Sequence, residues 1–260
     1  MLNLTVEQSL EECEQSIAKL REQHEQYESN EKVAVEYAKG LFNLTVEQPL
    51  EECRQSIAKL RELHEQYESN ERVAVAYAKG LVNLTLKQPL EERRQSIAKL
   101  RELHEQYESN EEVVVWYATD LYNLTVKQPL EECRQSINEL RILHEYFRDN
   151  KEVVVHYMNS LVNFSFAQDT EEDVRKTIQE SKEILSQYPE NTDMQLSYAQ
   201  TWFNLTLVQS MEALQQTVLE LREYLVQHPA ANKEFQLALD QYLEKHPDHT
   251  ERYSPLRLNA

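Results

Sequence analysis

Residues 70–109 read NERVAVAYAKGLVNLTLKQPLEERRQSIAKLRELHEQYES. Asn70 suits a helix N-cap, because its side-chain oxygen can accept from the free N–H groups of the first turn. Glu71 then places a negative charge where the helix dipole favours one. Val73, Tyr77, Leu81 and Leu84 follow at spacings of four, four and three, which is one stripe of an α-helix. Gln88-Pro89 closes that helix, since the residue before proline is pushed out of the helical region. Pro89 suits the first position of a second helix, where its missing N–H costs nothing. Leu90, Ile97, Leu100, Leu103 and Tyr107 carry the pattern on to Glu108-Ser109, and Asn110 caps the next helix. The stretch therefore reads as an antiparallel helical hairpin, each arm about 25 Å long at 1.5 Å per residue.

The hairpin recurs. Residues 41–80 and 81–120 agree at 31 of 40 positions, 121–160 follow closely, and 161–229 keep the pattern with most letters changed. A period of this length marks a repeat array whose units bury their apolar faces against one another. Five complete hairpins are expected, at about 31–69, 71–109, 111–149, 151–189 and 191–229. Residues 1–29 form a partial N-terminal repeat that begins partway through a first helix. There Ser9-Leu10-Glu11-Glu12 reads as a capping box for the second helix. A closing helix is expected over 230–246, with Phe235, Leu239 and Tyr242 as its stripe, and a tail over 247–260. The clipped first helix leaves the N-terminal end poorly capped.

Only two glycines and seven prolines occur in 260 residues, while helix formers dominate, so the class is all-α. Glycine-rich phosphate loops are excluded. The formal net charge of −19, spread through every repeat without a basic stripe, argues against nucleic acid. No leader-like segment and no apolar run near 18 residues occurs, which argues against a membrane and for a cytoplasmic protein. Cys13, Cys53 and Cys133 hold equivalent positions, where Arg93, Val174 and Leu214 stand in the other units. Equivalent residues of stacked units lie about 10 Å apart, beyond disulfide reach, so free thiols are expected.

The residues also resemble the tetratricopeptide repeats, whose signature runs W-x2-L-G-x2-Y, A-x3-F, P. The last full unit gives Ala199-x-x-Trp202-x-Asn204-Leu205-Thr206, then Thr217-Val218, Leu221, Leu225 and Pro229. The unit before it closes on Tyr188-Pro189. Middle units show Ala38-x-x-Leu41-x-Asn43-Leu44-Thr45, then Ser56-Ile57, Leu60 and His64. The sequence departs from that pattern in its 40-residue period, its shorter turn, and Ser or Thr at the small glycine and alanine positions. The resemblance implies a right-handed superhelical solenoid of antiparallel hairpins, about 12 helices in all, with the first helix of each unit lining a concave groove.

The tripeptide Asn-Leu-Thr, or a relative of it, returns at Asn3, Asn43, Asn83, Asn123, Asn163 and Asn204. Each is formally a glycosylation acceptor, but all would lie within helices instead of exposed loops, which argues against that reading. Two readings remain. The Asn and Thr satisfy a hydrogen bond between helices, or, as the resemblance implies, Asn43, Asn83, Asn123, Asn163 and Asn204 form a ladder in the groove. An amide both donates and accepts, which suits the backbone of an extended peptide. By the same resemblance the groove takes Phe42, Val82, Tyr122 and Phe203 from the position before the Asn. It takes Val46, Leu86, Val126 and Phe166 from three residues after, and Lys39 and Lys79 from four before. Relatives that clamp a carboxylate carry Lys or Arg among these positions. The apolar choices here fit an apolar segment better, extended or helical.

His24, His64, His104 and His144 recur at one register, but one ligand per repeat cannot converge on a metal, so a packing role is expected. Tyr37, Tyr77, Tyr117, Tyr157 and Tyr198 are expected to pack between units. The pairs Glu11-Glu12, Glu51-Glu52, Glu91-Glu92 and Glu131-Glu132 sit in first turns, where they answer the helix dipole. An active site needs unlike residues brought together, which exact repetition disfavours. The expectation is a non-enzymatic scaffold without cofactor or metal, binding a protein or peptide in the groove. The alternative is a structural protein that self-associates through its N-terminal end as a homo-oligomer.

Overall fold

The computed structural model describes residues 10–27, 30–126 and 128–257. Asn3 and the Ser9 capping box lie outside the described residues. The chain is an all-α repeat protein. Its main helices are α1 (Leu10–Gln26), α2 (Glu31–Glu47), α3 (Leu50–Gln66), α4 (Glu71–Lys87), α5 (Leu90–Gln106) and α6 (Glu111–Thr125). They continue as α7 (Leu130–Tyr146), α8 (Lys151–Phe166), α9 (Glu171–Leu185), α10 (Thr192–Val208), α11 (Met211–Gln227) and α12 (Pro229–Lys245). Two compact units divide the chain, 1–123 and 124–260, with the boundary inside α6.

The punctuation acts as its chemistry requires. Asn70 Oδ1 accepts from the backbone N–H of Arg72 and Val73, and Asn30, Asn150 and Asn191 cap their helices in the same way. Two of the capping asparagines in the first unit also reach back one repeat: Asn70 Nδ2 donates to Glu31 at 3.1 Å and Asn110 Nδ2 to Glu71 at 2.7 Å. Pro49, Pro89 and Pro129 lie one place earlier than expected. Each is an N-cap with extended ψ, and the Pro49 carbonyl accepts the first helical bond from Cys53. The preceding Gln48 and Gln88 are driven to ψ 141° and 149° by the proline ring.

In the first unit α2 packs on α1, α3 and α4, and α4 packs on α3 and α5. Leu41, Leu60, Leu81 and Leu100 are all but inaccessible to solvent, and burying each contributes about 1.5–3 kcal/mol. The helices approach so closely at Gly80 that an added Cβ would lie 2.7 Å from Ile57 Cδ1 and 2.9 Å from Leu60 Cδ1. In the second unit α8 packs on α7, α9 and α10, while α10 packs on α9, α11 and α12. Ile137, Leu140, Met158, Leu161 and Met194 fill its core. The turn glutamines explain why Ser or Thr replaces alanine on the second helices. Gln48, Gln88, Gln128 and Gln168 accept, through Oε1, from Ser56, Ser96, Ser136 and Thr177. That bond closes the short turn from inside.

The segment expected to be a tail is folded as far as the structure describes it. Residues 247–249, 250–253 and 254–256 form 3-10, α and 3-10 turns against the last hairpin, and Tyr253 and Leu256 are fully buried there.

Candidate functional site

The Asn register is stitched to its neighbour. Thr45 Oγ1 donates its one proton to the carbonyl of Phe42 at 2.6 Å, so the oxygen can only accept from elsewhere. Asn83 therefore turns its amide nitrogen toward it, at 2.9 Å. The second unit repeats the arrangement. Ser165 donates to Val162 O, while Asn204 Nδ2 donates to Ser165 Oγ at 2.8 Å and to Val162 O at 3.0 Å. Asn163 Nδ2 meets Thr125 Oγ1 at 3.0 Å. Each of these three asparagines faces the first helix of the preceding repeat. The hydrogen-bond chain fixes which amide atom points where, and both donors of Asn204 are engaged. Asn204 can still offer a ligand only its acceptor Oδ1, whereas Asn83 and Asn163 use one of their two amide N–H groups in these bonds.

One interface in the first unit is built differently. Thr85 Oγ1 lies 3.0 Å from Leu81 O and 3.1 Å from Asp120 Oδ2. Asp120 occupies the register of Gly40, Gly80, Ser160 and Thr201, is fully buried, and its Oδ1 has no hydrogen-bond partner. Burial pushes its carboxyl up to about 8, against the opposing pull of the Thr85 hydrogen bond and the Arg93 charge. Arg93, the single cation at the cysteine register, is itself buried and donates to Gln88 O. Neither residue's register was informative as sequence, because the pair only exists once α5 and α6 are both in place.

The position three residues after the Asn lies open in both units. Val46 and Leu86 are 52% and 53% exposed in the first, and Val126 and Phe166 are 55% and 68% exposed in the second. A row of apolar side chains at one register is not what solvent selects. Val82, expected on the same face, is instead buried at 2% exposure, so that expectation is corrected. Phe42, Tyr122, Val162 and Phe203 at that register are half-exposed.

Each unit has a pocket beside this row. In the first, Lys39, Phe42, Asn43, Arg72, Lys79 and Glu112 are among the residues lining a cavity of about 570 Å³. Its two lysines already have local partners. Lys39 pairs with Glu36 at 2.9 Å, and Lys79 lies 3.5 Å from Glu112 with its ammonium over the rings of Phe42 and Trp116. In the second, Asn163, Phe166, Phe203, Asn204, Phe235 and Tyr242 help to line a cavity of about 360 Å³ whose lining holds no Asp, Glu, Lys, Arg or His. Phe235 and Tyr242 come from α12, and nothing in the repeat pattern points to them, since α12 has no counterpart with the same letters.

The histidine register packs between repeats. His64 packs at a tilt against Tyr77, with ring centroids 5.7 Å apart, and its Nε2 lies 3.0 Å from Tyr107 Oη. Tyr107 in turn donates to Glu68 O at 2.5 Å. His24 makes the same contacts with Tyr37 and Tyr67, and His144 packs at a tilt against Tyr157. Burial holds His64, His104 and His144 below their ordinary pKa and pushes Tyr77 up to about 12. Cys53 and Cys133 are buried thiols, raised by the same cause, Cys133 to about 11. Among the described residues no group of three or more His, Cys, Asp or Glu could hold a metal ion. None of the helices described is long and apolar enough to cross a membrane. Compared with family models, curated proteins and solved structures, the chain gives no match.

Proposed function

We propose that this protein is a non-enzymatic interaction scaffold that binds a peptide or protein segment along the exposed face of its first helices. The observation that supports this most directly is the second unit's open apolar row beside an uncharged pocket. Phe166 stands 68% exposed at the rim, with Phe203, Phe235 and Tyr242 inside. Water gains nothing from a phenylalanine held out at a fixed register, whereas a partner's apolar side chain would bury it. The asparagines then serve first as inter-repeat stitches and second as acceptors for the ligand's N–H groups. The first unit offers a different chemistry on the equivalent face, since its pocket is lined by paired charges around Lys79.

Selection of binding peptides from a random displayed library on the immobilised protein tests this reading. Peptides so selected should weaken at least tenfold in Kd, about 1.4 kcal/mol, when Phe166→Asp is introduced. Val126→Asp should act in the same direction. Circular dichroism would show that both variants remain helical. Selected peptides whose affinity neither substitution changes would defeat the proposal.

A further inference from the structure

Two rings of the uncharged pocket are backed by the C-terminal segment. Phe203 of α10 and Tyr242 of α12 line the pocket, and their rings meet edge to face with centroids 5.2 Å apart. Tyr253 is fully buried outside that lining, and its ring packs 5.0 Å from Phe203 and 6.0 Å from Tyr242.

Hydrogen bonds tie the same segment to the pocket wall. Thr206 Oγ1 donates its one proton to the carbonyl of Phe203 at 2.5 Å, so the Tyr253 hydroxyl, 3.0 Å away, is the donor to Thr206. Arg252 donates to the carbonyl of Thr206, and Gln236 Nε2 of α12 donates to Leu256 O at 2.8 Å. The Tyr242 hydroxyl lies 2.8 Å from His249 Nδ1, so its polar end is engaged by the segment and what it lends the pocket is its ring. Leu256, buried in the apolar cluster of the last hairpin, anchors the segment. Residues 247–257 thus bridge α10 and α12, the two helices that carry Phe203 and Tyr242. Both rings are half-exposed, and an aromatic side chain open on one side is held in one rotamer by what packs on the other.

We propose that residues 247–257 are the positioning segment of this pocket, and that Tyr253, acting through Phe203 and Tyr242, gives it the shape that a partner's apolar side chain enters. The proposal rests on the peptide-binding reading of the same pocket and adds what controls it: a peptide is bound tightly only while the segment is docked. A ligand that prefers the docked state must in turn hold the segment down.

The probe is a peptide selected on the unaltered protein and weakened by Phe166→Asp. Tyr253→Ala should weaken it by about tenfold or more, whereas Tyr253→Phe, which keeps the ring and gives up the bond to Thr206, should stay within about threefold. Amide hydrogen exchange in the unaltered full chain supplies a reading that a merely structural tyrosine would leave unmoved. The amides of Ser254 and Arg257 donate to Glu251 O and Ser254 O. Without peptide they should exchange faster than the core of α10, through local undocking, and saturating peptide should slow them by about tenfold or more. Exchange that matches the α10 core without peptide, or that peptide leaves unchanged, overturns the proposal, and decides it even where Tyr253→Ala fails to fold. A folded Tyr253→Ala variant that binds as tightly as the unaltered chain overturns it too. So does Tyr253→Phe binding as weakly as Tyr253→Ala, since the ring would then not be the agent. Failure of the peptide-binding reading looks different: every selected peptide then ignores Phe166→Asp in the unaltered chain, and this proposal falls with it.

Discussion

Replacing Asp120 by serine, the residue its register carries at Ser160, should make the first unit more stable at neutral pH. Asp120 is fully buried, with Oδ1 unpartnered and its carboxyl pushed up to about 8 from 3.8. The folded-state pKa is raised, so the folded state binds the proton more tightly. The stability that this group contributes is complete below about pH 4, where both states are protonated, and is lost as pH rises through 8. Between those limits the loss is about 1.4 kcal/mol per pH unit, or on the order of 4 kcal/mol at pH 7. Thr85 Oγ1 has one proton to share between Leu81 O and Asp120 Oδ2, so the ionised carboxylate gains at most one donor from it while Oδ1 stays unpartnered in a buried site. Urea unfolding followed by circular dichroism, at pH 5, 6 and 7, gives the comparison. The difference between Asp120→Ser and the unaltered protein should grow by about 2.7 kcal/mol from pH 5 to pH 7. A difference that stays flat, or shrinks, would show that Asp120 ionises as freely folded as unfolded, and the argument from its burial would fail.

Asn204→Ala removes both donations to the preceding repeat and should cost about 1–2 kcal/mol, read as a lower thermal midpoint. A double-mutant cycle with Ser165→Ala should show coupling, and none would mean that the stitch is not energetic. His64 is held below its ordinary pKa by burial, so its contribution is present above about pH 6.5 and is lost as pH falls through its folded value. His64→Leu, the residue found at Leu185 and Leu225, should remove part of the acid sensitivity below pH 6.5. The change is at most about 1.4 kcal/mol per pH unit, and an unchanged pH profile of unfolding would refute it.

Much of this architecture was legible in the sequence, because its punctuation is local. Asn70, Asn110 and Pro89 bound their helices through bonds spanning two to four residues, and the Leu81, Leu100 and Ile97 stripes fall on the buried faces expected of them. The site was legible in part. Val46, Leu86, Val126 and Phe166 are open as the register implied, whereas Val82 is not, although Val162 at the same register is half-exposed, so the packing around each position decides. The partner of each Asn was the choice that periodicity could not make. An Asn meets a Thr 38 residues earlier, and a strict repeat places both residues at every candidate spacing. Tyr253 and Leu256 escaped for the opposite reason: they occur once, outside the pattern, and only folding brings them onto the last hairpin.

The Asn-to-Thr bond has a consequence for how such a chain can change length. Asn83 meets Thr45 and Asn163 meets Thr125, so at these seams one unit carries the donor and the unit before it the acceptor, whereas Thr85 meets Asp120 instead. Between units of the Asn-to-Thr kind, an in-frame duplication or loss of 40 residues therefore leaves no unmatched group at the junction. The near-identity of residues 41–80 and 81–120 is what such copying leaves behind, and it needs no compensating substitution at the seam.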